Sequence, residues 1–255
     1  MRYVGERKAC AAIILAFFGL LFLLNAIAGP AATAPMFAGL ALRYLVSFFG
    51  LVAGWFWARW YTLGLAVSGI MTAALLLWQV GAEPVVLVWG VGHSLVGLAL
   101  LGMGPTMAFD GRRDWRERWK MSEESTERLG KAIRRAGASL PCLIVAGLAP
   151  RGGHQVLGVL ALVGGMAGLL ALLAFRTWGV VVLGAAALLV LAVDPVPVLA
   201  AGMPVPAGMA APCLGAAMLV LAIAPFVFPI GRFLRSRGAS PASPTKTATR
   251  PTAAQ

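Results

Sequence analysis

The chain has 255 residues, of which 60% are hydrophobic and only 12% charged, with a formal net charge of +12 and a mean hydropathy of +0.87. Soluble domains carry about 25% charged residues, and there are too few polar side chains here to coat a water-exposed shell. The composition excludes an ordinary soluble globule and predicts an all-α, polytopic transmembrane helical bundle.

A helix needs about 20 apolar residues to cross about 30 Å of hydrocarbon. In chain order, the candidate spans are Cys10 to Ala28, Met36 to Trp57, Tyr61 to Val80, Pro84 to Met107, Val156 to Phe175, Trp178 to Val193 and Met209 to Phe228. Ala32-Thr33-Ala34 resembles a signal-peptide cleavage site, but the preceding run is long enough to span and is expected to be retained. An eighth stretch, Ala136 to Ala149, is short and contains Pro141.

Counting basic residues decides whether that stretch spans. If it does, the N-terminus, Arg59, the loop from Arg112 to Arg135, Arg176 and the tail from Arg232 to Arg250 share one side, with only Arg151 opposite. If it does not, Arg176 and the tail move outside and the charge rule for cytoplasmic loops fails. The expectation is about eight spans in the cell (inner) membrane with both termini cytoplasmic. The short helix would reach full length by starting near Leu129, with Lys131, Arg134 and Arg135 snorkelling to the headgroups.

The predicted organisation is a first four-helix half over 1–108, a basic cytoplasmic loop over 109–135, a second four-helix half over 136–231 and a disordered tail over 232–255. Trp55, Trp57, Trp60 and Tyr61 are expected at the inner interface, and Trp78 and Trp89 at the outer turn beside Glu83. In the loop, Trp115 and Trp119 are four apart among Arg112, Arg113 and Arg116. That spacing predicts an interfacial helix on anionic headgroups, with a solvated charged helix as the alternative.

Two parallel four-helix repeats are also expected. Pro30 recurs as Pro150, and Pro105, Gly111 and Arg112 recur as Pro225, Gly231 and Arg232, all at an offset of 120. Both outer turns begin with an acid and a proline, Glu83-Pro84 and Asp194-Pro195. Parallel repeats of this kind are related by an axis along the membrane normal.

Ionisable groups within a span are functional candidates by default. His93 lies deep in the fourth predicted span, among Gly90, Gly92, Ser94 and Gly97, and its partner at the offset of 120 is Cys213. One reading has His93 and Cys213 facing each other to handle a proton, a metal ion or a thiol-reactive substrate. The other makes His93 a neutral imidazole bonded to a neighbouring helix. Arg43 in the second span is expected to snorkel, or else to attract an anion together with Asn25. Gly50 with Gly54 and Gly164 with Gly168 are GxxxG patterns that permit close helix crossing, within the chain or in a homo-oligomer.

Catalytic signatures are absent from the sequence. There is no HExxH, GxSxG or P-loop lysine motif, and Cys10, Cys142 and Cys213 form no CxxC or zinc spacing. No catalytic, cofactor-binding or metal-binding residue is predicted, and no cofactor. The basic residues flank apolar runs instead of forming a nucleic-acid face, so the bilayer and a membrane-protein partner are the expected contacts. The expected function is a small permease or exporter-like protein with its pathway between the halves. A non-catalytic membrane scaffold or assembly factor is the alternative, and an intramembrane enzyme the weaker third.

Overall fold

A computed structural model describes residues 3–109, 122–149, 155–193 and 210–238. Among these residues there are nine helices and no strand: α1 (Val4–Ala28), α2 (Ala34–Ala53), α3 (Ala58–Val80), α4 (Pro84–Leu100), α5 (Met103–Phe109), α6 (Glu123–Leu148), α7 (Gln155–Leu173), α8 (Trp178–Val193) and α9 (Ala210–Gly238). Proline sets the start of α4, with Pro84 directly after Glu83, where its missing N–H would be unpaired in any case.

Four helices, α1, α2, α3 and α7, are long and apolar enough to cross a membrane, and the bent pair α4 and α5 makes five if it counts as one. Large apolar side chains line the outside: Ile27 on α1 is 74% exposed and Phe228 on α9 is 88% exposed. Such a surface is compatible with a protein embedded in lipid. By length and composition alone, then, the described helices support four or five spans where the charge count had pointed to eight. Two apolar segments are short, Trp178–Ala192 and Cys213–Pro229, and α6 carries too many charges to qualify.

The stretch 136–149 is not a short helix of its own. It continues without a break from Glu123, and α6 crosses the expected boundary at 135/136 and passes through Pro141. Ser122 caps its start, with the Ser122 hydroxyl accepting from the Ser125 backbone N–H at 3.2 Å. Lys131 pairs with Glu127 at 2.5 Å, and this bond holds the Glu127 carboxyl below its ordinary range. The residues Arg112, Arg113, Trp115, Arg116 and Trp119 lie outside the described residues, as does most of the expected tail. The tail's first part, up to Gly238, is helical in α9.

The expected fourth span is also not one straight helix. Between α4 and α5 the chain turns by 72°, at an extended Leu101 and at Gly102 with φ +98°. A left-handed residue here calls for glycine, and the turn frees carbonyls at the end of α4. Arginines satisfy them: Arg7 donates to the Leu98 carbonyl at 2.7 Å and to the Leu101 carbonyl, and Arg59 Nε donates to the Leu100 carbonyl at 3.0 Å.

The helices form two groups joined through α6. In the first, α1 packs on α2 and α4, and α3 packs on α4; in the second, α6 packs on α7 and α9, and α8 on α7 and α9. Helix α6 also packs on α2 and α3, so it belongs to both cores. Its small and branched residues Ala132, Ile133, Ala136 and Leu143 are buried there. Of the two GxxxG patterns, Gly164 and Gly168 face α8, whereas Gly54 ends α2 in a left-handed conformation at φ +72°.

Candidate functional site

Helices α2 and α4 place two ionisable residues at matching positions. Arg43 is nine residues after Ala34, the first residue of α2, and His93 is nine after Pro84, the first of α4. At the helical rise both sit about 14 Å along their helices. Helix α1 contributes Phe18, which stacks on the His93 ring with centroids 4.7 Å apart, and the Trp89 ring covers it at 4.6 Å. Across the ring, α3 presents Gly69, whose lack of a side chain is what lets the imidazole seat against the backbone. His93 is 0% exposed.

The hydrogen bonds around His93 have a forced direction. Nδ1 lies 2.8 Å from the Trp89 carbonyl, which only accepts, so Nδ1 carries the proton. In the neutral ring Nε2 is then an acceptor, and the Tyr44 hydroxyl 2.7 Å away donates to it. The Tyr44 oxygen in turn accepts from Arg43 Nη2 at 3.0 Å. The result is one chain of donors running Arg43, Tyr44, His93, Trp89 carbonyl. Trp89 is itself fixed by its indole N–H, which donates to the Gly69 carbonyl at 3.1 Å.

Arg43 is the unusual member. Its side chain turns into the bundle and the residue is 5% exposed, so the guanidinium does not reach a helix end as snorkelling would require. Nη2 makes the bond to Tyr44, whereas Nε and Nη1 are buried without a hydrogen-bond partner among the described residues. The guanidinium also lies over the Tyr44 ring, 4.7 Å from the centroid. No acidic side chain among the described residues pairs with it; the ion pairs described there are Arg128 with Glu124 and Lys131 with Glu127, both on the exposed start of α6. Tyr61 of α3 closes the site from below by donating to the Arg43 carbonyl at 3.5 Å. A second buried polar pair, Ser47 and Thr62 at 2.5 Å, ties α2 to α3 one turn further along.

The other expected site residues lie elsewhere. Asn25 is exposed and bonds back to the Leu21 carbonyl at 2.8 Å. Ser94 bonds to the Gly90 carbonyl at 2.8 Å and faces a groove of about 380 Å³ that also includes Arg134. Cys213 is half-buried on α9, which packs against α6 and α8, whereas α1, α2 and α3 enclose His93. The structure therefore joins His93 to Arg43 and leaves Asn25, Ser94 and Cys213 outside that cluster. Among the described residues no group of three His, Cys, Asp or Glu side chains could hold a metal ion.

Tyr44, Trp89, Gly69 and Tyr61 were missed as site residues. Trp89 in particular turns inward onto His93 instead of marking the outer interface. The sequence did carry one signal, the similar depth of the two residues, with Arg43 seven residues after Met36 and His93 nine after Pro84, the starts of their expected spans. No protein-family model matches this chain, and neither a curated protein nor a solved structure matches it.

Proposed function

We propose that the chain is an eight-span membrane protein of two four-helix halves, and that it binds a small anion at Arg43 in the course of moving it across the bilayer. The observation that carries this reading is the burial of Arg43 with unpartnered Nε and Nη1 donors. A cation deep in a span is disfavoured by a few kcal/mol on insertion scales, and such residues face bundle interiors where ions or substrates pass. An anion there would offset the charge and accept from the three free N–H groups.

Eight spans follow if α6, α8 and α9 cross as well as the four long helices and the bent pair. In support, all the basic stretches except Arg151 then fall on one side, which becomes the cytoplasmic face and carries both termini. The packing order supports a duplication. Each half closes a ring, α1 on α2, α2 on α3, α3 on α4 and α4 on α1, matched by α6 on α7, α7 on α8, α8 on α9 and α9 on α6. Phe56 and Phe175, each just ahead of the third helix of its half, stack on one another at 5.4 Å.

One observation favours the second reading, a membrane scaffold. His93 is fully enclosed, and the surface hollows of about 360, 520 and 380 Å³ are lined by other residues. Flux separates the two. In proteoliposomes the purified protein is expected to pass at least one of chloride, nitrate, formate and acetate, with Arg43→Gln slower by about tenfold or more, the effect of losing a charged hydrogen bond. Rates equal to protein-free vesicles for all four anions would leave the scaffold reading in place.

A further inference from the structure

Three places outside the anion reading invite an inference. One is the hollow of about 360 Å³ between Arg128 and Arg176, another the apolar groove of about 520 Å³ between α1 and α4, and the third the chain of donors that ends on His93. The donor chain carries furthest, because its hydrogen bonds permit only one arrangement in the absence of an anion.

We propose that anion binding at Arg43 and protonation of His93 are coupled through the Tyr44 hydroxyl, so that the protein takes up one proton with each monovalent anion. The coupling rests on the anion reading of Arg43 and adds to it the charge class of the substrate and its co-substrate. Without an anion, Tyr44 donates to His93 Nε2 and accepts from Arg43 Nη2. A proton arriving from solvent at Nε2 turns that atom into a donor, which must point at the Tyr44 oxygen. The Tyr44 hydroxyl proton then needs another acceptor. Its other hydrogen-bonded partner is Arg43, which has donors only, and a second positive charge would stand beside the first in a low-dielectric setting.

An anion held by the free donors of Arg43 removes both obstacles. It accepts the Tyr44 O–H, and its charge compensates the imidazolium. The balance is one anion and one proton entering the site, no net change in its charge, and no covalent bond made or broken other than N–H at Nε2. The proton returns to solvent when the anion leaves, since the arrangement with Tyr44 donating is then restored.

Among the described residues, no acid competes in the surroundings of His93. Helix α1 faces it with Phe18, and its cations Arg7 and Lys8 are engaged at the Leu98, Leu101 and Val52 carbonyls. Helix α3 faces it with Gly69, and there Ser68 bonds to the Leu65 carbonyl while Arg59 is bonded at the Leu100 carbonyl. Helix α2 supplies Arg43 and Tyr44, and within α4 Trp89 and Ser94 use backbone carbonyls. Tyr61 of α3 and Cys142 of α6 lie within electrostatic reach of Arg43. Neither carries a carboxylate that could take the anion's place.

The test uses the full chain in proteoliposomes loaded with a pH-sensitive dye, with inward gradients of chloride, nitrate, formate or acetate. For an anion that the protein passes, uptake is expected to acidify the lumen one proton per anion, to be insensitive to an imposed potential, and to show a KM rising about tenfold per pH unit above the His93 titration, as one linked proton requires. Tyr44→Phe keeps Arg43 but removes a hydroxyl that the anion accepts from, so anion uptake should slow, and the number of protons taken up per anion should fall from one to background. His93→Gln should do the same and flatten the pH profile. Anion flux in the wild type that is pH-independent and driven by the potential would overturn the coupling while sustaining the anion site. Absence of flux for all four anions would overturn the anion reading itself.

Discussion

At the scale of single residues, His93 is held by shape as much as by hydrogen bonds. A Cβ on Gly69 would fall inside the space of the imidazole ring at Cδ2 and Cγ, which is the body of a stacked ring and not the tip of a flexible chain. Phe18 and Trp89 leave the ring nowhere to retreat. Gly69→Ala should therefore lower stability by about 1–3 kcal/mol, the range for overpacking a filled core, read as a fall in the melting midpoint of the purified protein. An unchanged midpoint would mean that the His93 ring is not seated against α3.

How much of this site could be read beforehand follows from helix geometry. Depth is nearly written in the sequence, because a residue's distance from a helix start is a count: the expected starts Met36 and Pro84 put Arg43 seven and His93 nine residues in, and the observed start at Ala34 makes the counts equal. Rotation is not. Arg43 and Tyr44 are neighbours in the chain, about 100° apart around the helix, and only the positions of α1, α3 and α4 decide that Tyr44 meets His93. The inward turn of Arg43 was missed for the same reason, since a long side chain on an isolated helix would be drawn toward water.

At the scale of elements, the second group of helices is held by backbone approach at small residues. Gly168 on α7 would place a Cβ 2.7 Å from Leu183 Cγ and 3.0 Å from the Gly179 carbonyl oxygen on α8. Such crossings take their stability from close packing, with no hydrophobic drive between helices already in lipid. Gly168→Val is expected to separate α7 from α8 and to cost about 1–3 kcal/mol. Gly5→Ala, with open space around it, should stay within about 1 kcal/mol of wild type. Equal melting midpoints for the two variants would contradict the crossing.

Helix α6 shows why element boundaries escaped the charge count. Its first half is charged and its second half apolar, so hydropathy splits it at about residue 136, yet both halves share one hydrogen-bonded ladder from the Ser122 cap to Leu148. The bend after α4 escaped for the opposite reason. Leu101 and Gly102 sit inside an apolar run, and the turn is stabilised by Arg7 and Arg59, which come from α1 and α3.

At the scale of the whole molecule, topology is the property on which the eight-span proposal stands or falls. A fluorescent reporter fused after Gln255 is expected to mature in the cytoplasm, and an alkaline phosphatase fused at Gly152 to be active outside. Phosphatase activity at the C-terminus would require an odd number of crossings and would remove both the duplication and the placement of the basic stretches. The same experiment bears on Arg43, because its outward approach depends on α2 starting at the outer face.

By itself the sequence determined the all-helical class, the positions of the long apolar helices and the depth of the two ionisable residues within them. These are local properties: the length of an apolar run, the satisfaction of backbone groups within a helix, and a count of residues from its start. Tertiary structure alone decided that Arg43 is buried without an acid partner among the described residues, that Tyr44 links it to His93, and that α6 serves both groups of helices. Each of these depends on how a helix is rotated against its neighbours, and that rotation is set by contacts between residues far apart in the chain.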